Sequence, residues 1–254
     1  MRALVIAALV LVFVSGCRRG KSDAAKSHPP MPAGGAATVT TGDELVEDAV
    51  VYETKTWSRS LDAYDVTIED VGMTSDIEGV LTKTGADLVV NGGFFDEQGK
   101  PLGLTMSNGI RLSGLTKKMS GGVLAVVGGK AQLFETESFE QPENMKFGVQ
   151  CRPRLVVLGQ ANVKSDDGKR SERTALCVRD SGQTIEAVIA RGGEGGPSLF
   201  AFGKWLAARG CDSALNLDGG PSTGASWIDE STQQKKTIAP RGPIRHAIVF
   251  KKRQ

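Results

Sequence analysis

The sequence has little of what several protein classes require. Only two of its 254 residues are histidine and four are cysteine, which excludes a histidine-rich zinc site. Aromatic residues make up 6% of the chain, and there is no series of long apolar runs, which excludes a polytopic membrane protein. The composition also differs from that of a collagen, a coiled coil or a disordered polyampholyte. No internal repeat is present, and the length suits one large domain.

The chain also lacks a surplus of charge of either sign. Its 31 Lys and Arg residues against 29 Asp and Glu residues give a formal net charge of +2. The basic excess lies within residues 1–26, and the rest of the chain is slightly acidic. A nucleic-acid-binding protein needs a basic face that displaces counterions. We therefore expect no nucleic-acid partner.

The N-terminus has the features of a secretion signal. Arg2 supplies a positive charge, and residues 3–14 form a continuous apolar run that suits a signal-peptide core and is too short to span a bilayer comfortably. The run ends in Val-Ser-Gly-Cys17, which resembles the bacterial lipobox, where cleavage precedes the cysteine and its thiol carries lipid. The alternative is an ordinary signal peptide followed by a chance cysteine.

The chain is expected to have three parts. Residues 1–16 are predicted to be a lipoprotein signal peptide, and residues 17–45 a lipidated Cys17 with a flexible tether rich in Pro, Gly and small residues. Residues 46–254 are predicted to form the folded domain. Lipid chains would hold the protein at a membrane. Arg18 rather than Asp follows the cysteine, so the resemblance implies the bacterial cell envelope, at the outer membrane facing the periplasm.

The folded part alternates short β-rich runs with glycine-containing turns and has few helical stretches. The hydrophobic periodicity predicts strands over residues 65–71, 87–90, 123–127, 131–134, 154–158, 174–178, 184–190, 214–217 and 247–250. Helices are predicted over residues 76–84, ended by Gly85, and 198–209, followed by Gly210 as the C-cap. Many strands without regular βαβ alternation predict an α+β fold: a mixed β-sheet core with few flanking helices, in a single domain.

Three cysteines remain once Cys17 is lipidated, and these are Cys151, Cys177 and Cys211. An oxidising compartment would allow one disulfide and one free thiol. The spacings fit no metal motif, and they do not determine which two cysteines pair.

A first candidate segment directly follows the predicted strand at residues 87–90. Asn91 would stand at the strand end, and Gly92 and Gly93 would allow a sharp turn or a close approach to a ligand. Phe94 and Phe95 could form a wall. A structural turn with two core aromatics explains the same residues equally well.

A second candidate segment, residues 191–198 (RGGEGGPS), lies between a predicted strand and the predicted helix. A glycine-rich loop that enters a helix N-terminus gathers free N–H groups and the positive end of the helix dipole, and Arg191 adds a charge. The segment could therefore hold an anion. It matches neither a Walker loop nor a dinucleotide fingerprint. A flexible surface loop with Ser198 as N-cap is the alternative.

A third candidate segment, residues 216–224 (NLDGGPSTG), closes the same strand–helix–strand unit. A carboxylate such as Asp218 at the end of a buried strand, followed by glycines, is frequent in catalytic sites, although a type I turn also uses Asp-Gly. The second and third segments should lie at one edge of the sheet. Ser222 is an unattractive hydrolase nucleophile because the Gly-x-Ser-x-Gly pattern is missing.

Two arginines begin predicted strands. The guanidinium groups of Arg154 and Arg173 could point into a polar pocket and bind a phosphate through two hydrogen bonds each. Exposure on the surface is the ordinary alternative for both.

Taken in order, these motifs resemble the phosphodiester glycosidase family over roughly residues 50–250. The resemblance rests on Asn91-Gly-Gly-Phe-Phe, Pro153-Arg154-Leu155, Arg173-Thr-Ala, the helix at 199–210, Asn216-Leu-Asp-Gly-Gly-Pro-Ser-Thr and the closing Arg241 with Ala247-Ile-Val. Pro221 and His246 depart from it, because a third glycine and a small polar residue are common there. The resemblance implies hydrolysis of a glycosidic bond whose leaving group is a phosphodiester, as in the removal of N-acetylglucosamine from phosphodiester-linked mannose.

The resemblance implies roles for the candidate residues. Asp218 would be the carboxylate beside the anomeric carbon, Glu194 the second acid or base, and Arg173 a catalytic cation at the phosphate. The residues expected to bind substrate are Asn91, Gly92, Gly93, Phe94, Arg154, Arg191, Gly192, Gly193, Gly219, Gly220 and Ser222.

The expected partner is a sugar phosphodiester or an envelope glycan, besides the membrane reached through the N-terminal lipid. No cofactor or metal is expected, although Asp218 and Asp96 could hold a divalent cation. The oligomeric state is not predicted. The alternative function is that of a non-catalytic lipoprotein that binds glycans or anionic polymers of the envelope.

Overall fold

The computed structural model describes residues 44–254. The expected signal peptide, the lipidation site at Cys17 and nearly all of the expected tether lie outside the described residues. Within residues 44–254, no helix has the length and apolar character needed to cross a membrane.

The described part contains many strands and two α-helices. The strands are β1 (Leu45–Glu47), β2 (Val50–Ser60), β3 (Tyr64–Thr74), β4 (Leu88–Asn91), β5 (Thr105–Ser107), β6 (Ile110–Ser113), β7 (Gly122–Val127), β8 (Lys130–Glu135), β9 (Met145–Cys151), β10 (Arg154–Val157), β11 (Gln160–Ala161), β12 (Arg173–Arg179), β13 (Thr184–Arg191), β14 (Ser213–Asn216), β15 (Ala225–Ile228), β16 (Lys235–Ile238) and β17 (Ile244–Lys252). The helices are α1 (Ile77–Thr84) and α2 (Leu199–Ala208). This content confirms the predicted α+β class.

The strands form three sheets. The seven-stranded sheet has the order β1-β2-β13-β12-β14-β10-β11, and two five-stranded sheets have the orders β16-β15-β4-β17-β3 and β6-β5-β9-β7-β8. Every strand pair in the described part is antiparallel. The turn at Gly128-Gly129 joins β7 to β8, as its Gly-Gly sequence predicts.

Both predicted helices are present, and capping residues are found at their ends. In α1, the Asp76 carboxylate accepts a hydrogen bond from the Gly79 N–H at 2.8 Å, and Gly85 adopts the left-handed conformation after the last turn. In α2, the Ser198 hydroxyl caps the first turn by accepting from the Ala201 N–H at 3.0 Å.

The seven-stranded sheet is buried on both faces, because alternate side chains of its strands enter two different apolar clusters. On β12, Leu176 enters a central core shared with the five-stranded sheets, whereas Ala175 packs on the side covered by α2. The largest contributions to the helix side come from Phe202, Trp205 and Leu206. A strand buried on both faces is apolar throughout rather than alternating, which explains the sequence of β12.

Four strand ends meet at one edge of the seven-stranded sheet. Because β12 pairs antiparallel with both β13 and β14, the ends of β13 and β14 lie beside the start of β12. Arg173 is opposite Ala190, and Arg154, at the start of β10, is opposite Leu215. The second and third candidate segments therefore do leave the sheet at the same edge.

A disulfide joins Cys177 in β12 to Cys211, which directly precedes β14. Cys151 is the remaining cysteine of the described part, and it is a buried free thiol. The pairing that the spacings left open is thus between two residues that flank β13 and α2.

Candidate active site

A cleft of about 650 Å³ lies at this edge of the sheet and contains Asp218. Its apolar lining residues include Phe94, Phe95, Leu102, Met119 and Leu199. Three cations also line the cleft, and these are Arg152, Lys169 and Arg173. The carboxylates that line it are Asp167 and Asp218. The cleft therefore combines carboxylates, apolar surface and a surplus of positive charge.

Asp218 is held in the cleft by the end of β4. Its backbone N–H donates to the Gly92 carbonyl at 3.2 Å, and its own carbonyl accepts from the Asn91 amide at 2.7 Å. Burial raises the pKa of the Asp218 carboxyl above its ordinary value, and hydrogen bonds from Ser222 and the Gly219 N–H partly oppose that rise. A carboxylate of this kind is a stronger base than one in water.

Asn91 holds three strand ends together and does not line the cleft. Its side chain is fully buried, and its amide oxygen accepts from the Thr174 hydroxyl at 2.7 Å and from the Gly224 N–H at 3.2 Å. Its amide nitrogen is the donor to Asp218. With these partners inside the protein, Asn91 orients Asp218 rather than a ligand.

The two glycines after Asn91 allow close packing. A Cβ at Gly92 would lie 2.8 Å from the Cβ of His246, and a Cβ at Gly93 would lie 3.2 Å from the Cys151 sulfur. Neither glycine lines the cleft, whereas Phe94 does. Burial raises the pKa of the Cys151 thiol to about 12, so the thiol is neutral at physiological pH.

Arg173 lies in the cleft with Asp218. Its Nε donates to the Pro197 carbonyl at 3.0 Å and its Nη2 donates to the Lys169 carbonyl at 3.1 Å. Burial lowers the pKa of the guanidinium from its ordinary value, but an arginine stays charged in proteins. Two hydrogen bonds to neutral carbonyls fix its orientation and leave its charge available to an anion.

Three other charged residues predicted for the site lie elsewhere. Arg154 pairs with Glu135, and the Arg191 Nε donates to a Glu53 carboxylate oxygen at 2.8 Å. Glu194 is exposed in its loop. None of the three predicted residues lines the cleft.

The N-terminus of α2 is occupied by a carboxylate of the protein. Glu47 is fully buried, and its two oxygens accept from the Ser198 backbone N–H at 2.9 Å and from the Ser198 hydroxyl at 2.5 Å. Gly192 and Gly193 are exposed and do not line the cleft. The anion bound at the end of the glycine-rich segment is therefore the Glu47 side chain of the protein itself.

The third candidate segment contributes differently. Gly219 lines the cleft beside Asp218. The Gly220 N–H donates to the Glu172 carbonyl at 2.8 Å, and the Ser222 hydroxyl donates to the Pro243 carbonyl at 3.0 Å. These two residues fix the turn that follows Asp218.

Most residues that line the cleft were not predicted as site residues, and among these are Arg152, Lys169 and Asn216. The Asn216 amide nitrogen donates to the Arg152 and Leu217 carbonyls at 2.9 and 2.8 Å, which leaves its buried amide oxygen without a partner. An unpartnered acceptor beside Asp218 suits a hydroxyl or N–H of a ligand. Asn216 begins the Asn-Leu-Asp-Gly-Gly motif, so its position was a signal that could have identified it.

Among residues 44–254, no group of three or more His, Cys, Asp or Glu side chains is arranged to hold a metal ion. Asp96, which was considered as a partner of Asp218 in a cation site, accepts hydrogen bonds from the Gln98 and Lys100 N–H groups at 3.1 and 2.8 Å. Its carboxylate therefore stabilises a local turn.

Solved structures with the same fold include two informative ones. A hypothetical protein from Synechocystis is 16% identical, with a TM-score of 0.59 over 83% of this chain and 61% of that one. The catalytic domain of zebrafish N-acetylglucosamine-1-phosphodiester alpha-N-acetylglucosaminidase, auto-inhibited by its pro-peptide, is 16% identical, with a TM-score of 0.59 over 81% of this chain and 85% of that one. The chain thus spans about three-fifths of the Synechocystis protein, and at these identities the likeness shows the fold.

No curated protein matches the sequence. The family model described as phosphodiester glycosidase matches residues 84–251, a region that holds the cleft from Phe94 to Gly219. Because this match covers well over half of the chain, the protein belongs to the phosphodiester glycosidase family.

Proposed function

We propose that the protein hydrolyses the glycosidic bond of a sugar 1-phosphodiester in the cleft that contains Asp218. The observation that carries the proposal is the presence of Asp218 and Arg173 in one cleft, with two further cations, Arg152 and Lys169, beside them. Membership of the phosphodiester glycosidase family supports it.

Asp218 would act at the sugar. Cleavage at an anomeric carbon passes through an oxocarbenium-like transition state, which a nearby carboxylate stabilises. Because burial raises the pKa of Asp218, its carboxylate is also suited to accept a proton from an attacking water. The unpartnered amide oxygen of Asn216 would accept a hydrogen bond from the sugar.

The cations would act on the leaving group. As the glycosidic bond breaks, negative charge develops on the phosphodiester, and fixed positive groups stabilise it in the transition state. Arg173 is fixed by two backbone carbonyls, and Arg152 and Lys169 line the same cleft. A phosphodiester leaves as a stable anion, so the reaction needs no strong acid. The position of Glu194 outside the cleft fits this requirement.

The apolar lining residues of the cleft would contact the rest of the substrate. Phe94 and Phe95 offer ring surfaces against which a sugar can pack. We further propose that the reaction needs no cofactor and takes place at the bacterial cell envelope, where the N-terminal lipid expected at Cys17 would anchor the protein.

The test is the release of free reducing sugar from a panel of sugar 1-phosphodiesters that includes alkyl-phospho-α-N-acetylglucosamine. Wild-type protein is expected to release sugar, with or without a chelator, and the Asp218→Asn variant to release none while remaining folded. Saturable binding of the panel without turnover by the wild type would contradict the proposal and favour a glycan-binding lipoprotein. Loss of turnover on chelation would contradict the metal-independent mechanism.

A further inference from the structure

Glu47 is a buried carboxylate that lies outside the residues matched by the family model. It is the last residue of β1, and its side chain is fully buried. Its oxygens contact two places in the chain, because they accept from Ser198 and lie 3.3 Å from the Nη2 atom of Arg170. Burying a carboxylate costs free energy unless it is paired. The contacts with Ser198 and Arg170 therefore stabilise Glu47 in its buried position.

Arg170 connects Glu47 to one wall of the cleft. Its guanidinium also contacts Asp48 at 3.2 Å and Asp166 at 3.0 Å, so the segment around it is held by three carboxylates. Only Glu47 among these three is fully buried, whereas the Asp48 side chain is 60% exposed. Lys169, the residue before Arg170 in the chain, lines the cleft.

The two carbonyls that orient Arg173 are each bonded to a residue that Glu47 holds. The Nη2 of Arg173 donates to the carbonyl of Lys169, whose carbon is bonded to the nitrogen of Arg170. The Nε donates to the carbonyl of Pro197, whose carbon is bonded to the nitrogen of Ser198. Glu47 contacts Arg170 with one oxygen and the Ser198 N–H with the other.

From these contacts we propose that Glu47 is the positioning residue for Arg173. It acts through Arg170 on the Lys169 carbonyl and through Ser198 on the Pro197 carbonyl, and it thereby holds the Arg173 guanidinium toward the cleft. The inference rests on the proposed function only for its effect on turnover. The orientation of Arg173 itself can be measured without a substrate.

The variant Glu47→Gln separates charge from shape. A glutamine can accept from the Ser198 N–H with its oxygen and donate to the Ser198 hydroxyl with its nitrogen, so the contact with Ser198 is retained while the charge facing Arg170 is lost. Asp48→Asn is the matched control, because it removes one carboxylate from the same arginine at an exposed position. Ser198→Ala provides a second variant, which loses the hydroxyl contact and keeps the backbone one.

The first measurement is hydrogen exchange of the Arg173 side-chain Nε–H by NMR on the full-length chain. In Glu47→Gln we expect exchange to be at least about tenfold faster, and in Asp48→Asn we expect the wild-type rate. Unchanged exchange in both Glu47→Gln and Ser198→Ala would overturn the inference. If folded Glu47→Gln and Asp48→Asn lose thermal stability equally but only Glu47→Gln alters the exchange of the Arg173 Nε–H, the effect is local positioning and not a general loss of stability.

The second measurement is a double-mutant cycle on the affinity for inorganic phosphate and on kcat/KM. Glu47→Gln is expected to weaken phosphate binding and to lower kcat/KM by about tenfold in the wild-type background, and to change neither in the Arg173→Met background. Full additivity would overturn the inference. If the wild type turns over no sugar phosphodiester while the Nε–H effect persists, the proposed function fails and the positioning contact stands.

Discussion

Two glycine-rich segments leave the seven-stranded sheet at the same edge, and only one of them forms the cleft. Segment 216–224 contributes Asp218 and Gly219 to the cleft. Segment 191–198 contributes none of its own residues, although it has more glycines and leads into a helix N-terminus. At this terminus the Ser198 N–H is already bonded to Glu47, and the Ala201 N–H is bonded to the Ser198 hydroxyl. A helix N-terminus is available to a ligand only when no carboxylate of the protein occupies it.

One glycine in each segment is explained by packing. A Cβ at Gly196 would lie 2.2 Å from the carbonyl oxygen of Ser171, and a Cβ at Gly219 would lie 2.6 Å from that of Glu172. Both segments therefore pack directly against the backbone that precedes Arg173. These two glycines reflect a close approach of chain to chain, and the position of the charged residues decides which loop can do chemistry.

The largest expected difference between the two segments is the effect on kcat of replacing the acidic residue of each. Asp218→Asn is expected to lower kcat by about 10²- to 10⁴-fold, since it removes the base beside the anomeric carbon. The matched change in the other segment, Glu194→Gln, is expected to leave kcat within about twofold of wild type. Steady-state assays of sugar release measure both variants. Equal losses would show that the two segments share one site.

Asp218→Asn should also fold at least as well as wild type. Because burial raises the folded-state pKa of Asp218, its ionised form costs stability, and that cost grows as the pH rises through the unfolded and then the folded pKa. Asparagine removes the cost at pH 7. Thermal unfolding measures this effect, and a clear loss of stability in the variant would contradict it.

The disulfide encloses segment 191–198 and not segment 216–224. Cys177 and Cys211 are 34 residues apart in the chain, so the double variant Cys177→Ala/Cys211→Ala is expected to lose about 3–4 kcal/mol of unfolding free energy. Urea denaturation measures this loss. Turnover by the folded fraction should persist, because Asp218 follows β14 and is held by Asn91. Loss of kcat at temperatures where the variant is folded would contradict this separation.

The arginines of the two regions should also differ. Arg173→Met is expected to lower kcat/KM by about 10²-fold, because it removes a fixed charge from the developing phosphodiester anion. Arg191→Met removes only an exposed ion pair with Glu53 and should leave kcat/KM unchanged within error. A comparable loss in Arg191→Met would place segment 191–198 in contact with substrate.

The smallest expected effect is a shift in pH dependence. The Ser222 hydroxyl has one proton, which it donates to the Pro243 carbonyl at 3.0 Å or, after rotation, to Asp218, whose pKa that second hydrogen bond lowers. Ser222→Ala should therefore raise the pKa of Asp218 and move the acidic limb of kcat/KM to higher pH by less than about one unit. Ser226→Ala is the control, because buried Ser226 bonds to Thr237 rather than to Asp218. A shift to lower pH in Ser222→Ala would contradict the assigned cause.

Both helices and nine of the seventeen strands in the described part could be predicted from local patterns, and two of the missed strands show the physical causes. Both helices were predicted because their caps and apolar spacing are local signals. Strand β2 was missed because most of its residues are polar, and only Tyr52, Trp57 and Arg59 are buried. Strand β9 was missed because Gly148 interrupts it and resembles a turn, although a Cβ there would lie 2.6 Å from the Met145 methyl carbon.

The shared position of Asp218 and Arg173 in one cleft was predictable, because both stand at strand ends and strand ends at one edge must meet. Lys169 lies in a polar loop without periodicity, so no local pattern indicates that it reaches the cleft. The contact of Glu47 with Ser198 joins residues 151 positions apart, and a contact of this range follows from the packing of β1 beside α2.

The central claim is that the cleft breaks the bond between the anomeric carbon and oxygen, and it can be tested by hydrolysis in water labelled with oxygen-18. The wild-type protein would be given the best substrate of the panel, and both products would be analysed by mass spectrometry. The account predicts that the label appears in the free sugar and that the phosphate carries none. Label in the phosphate would show cleavage of the phosphorus–oxygen bond, and it would contradict the assignment of Asp218 to the sugar.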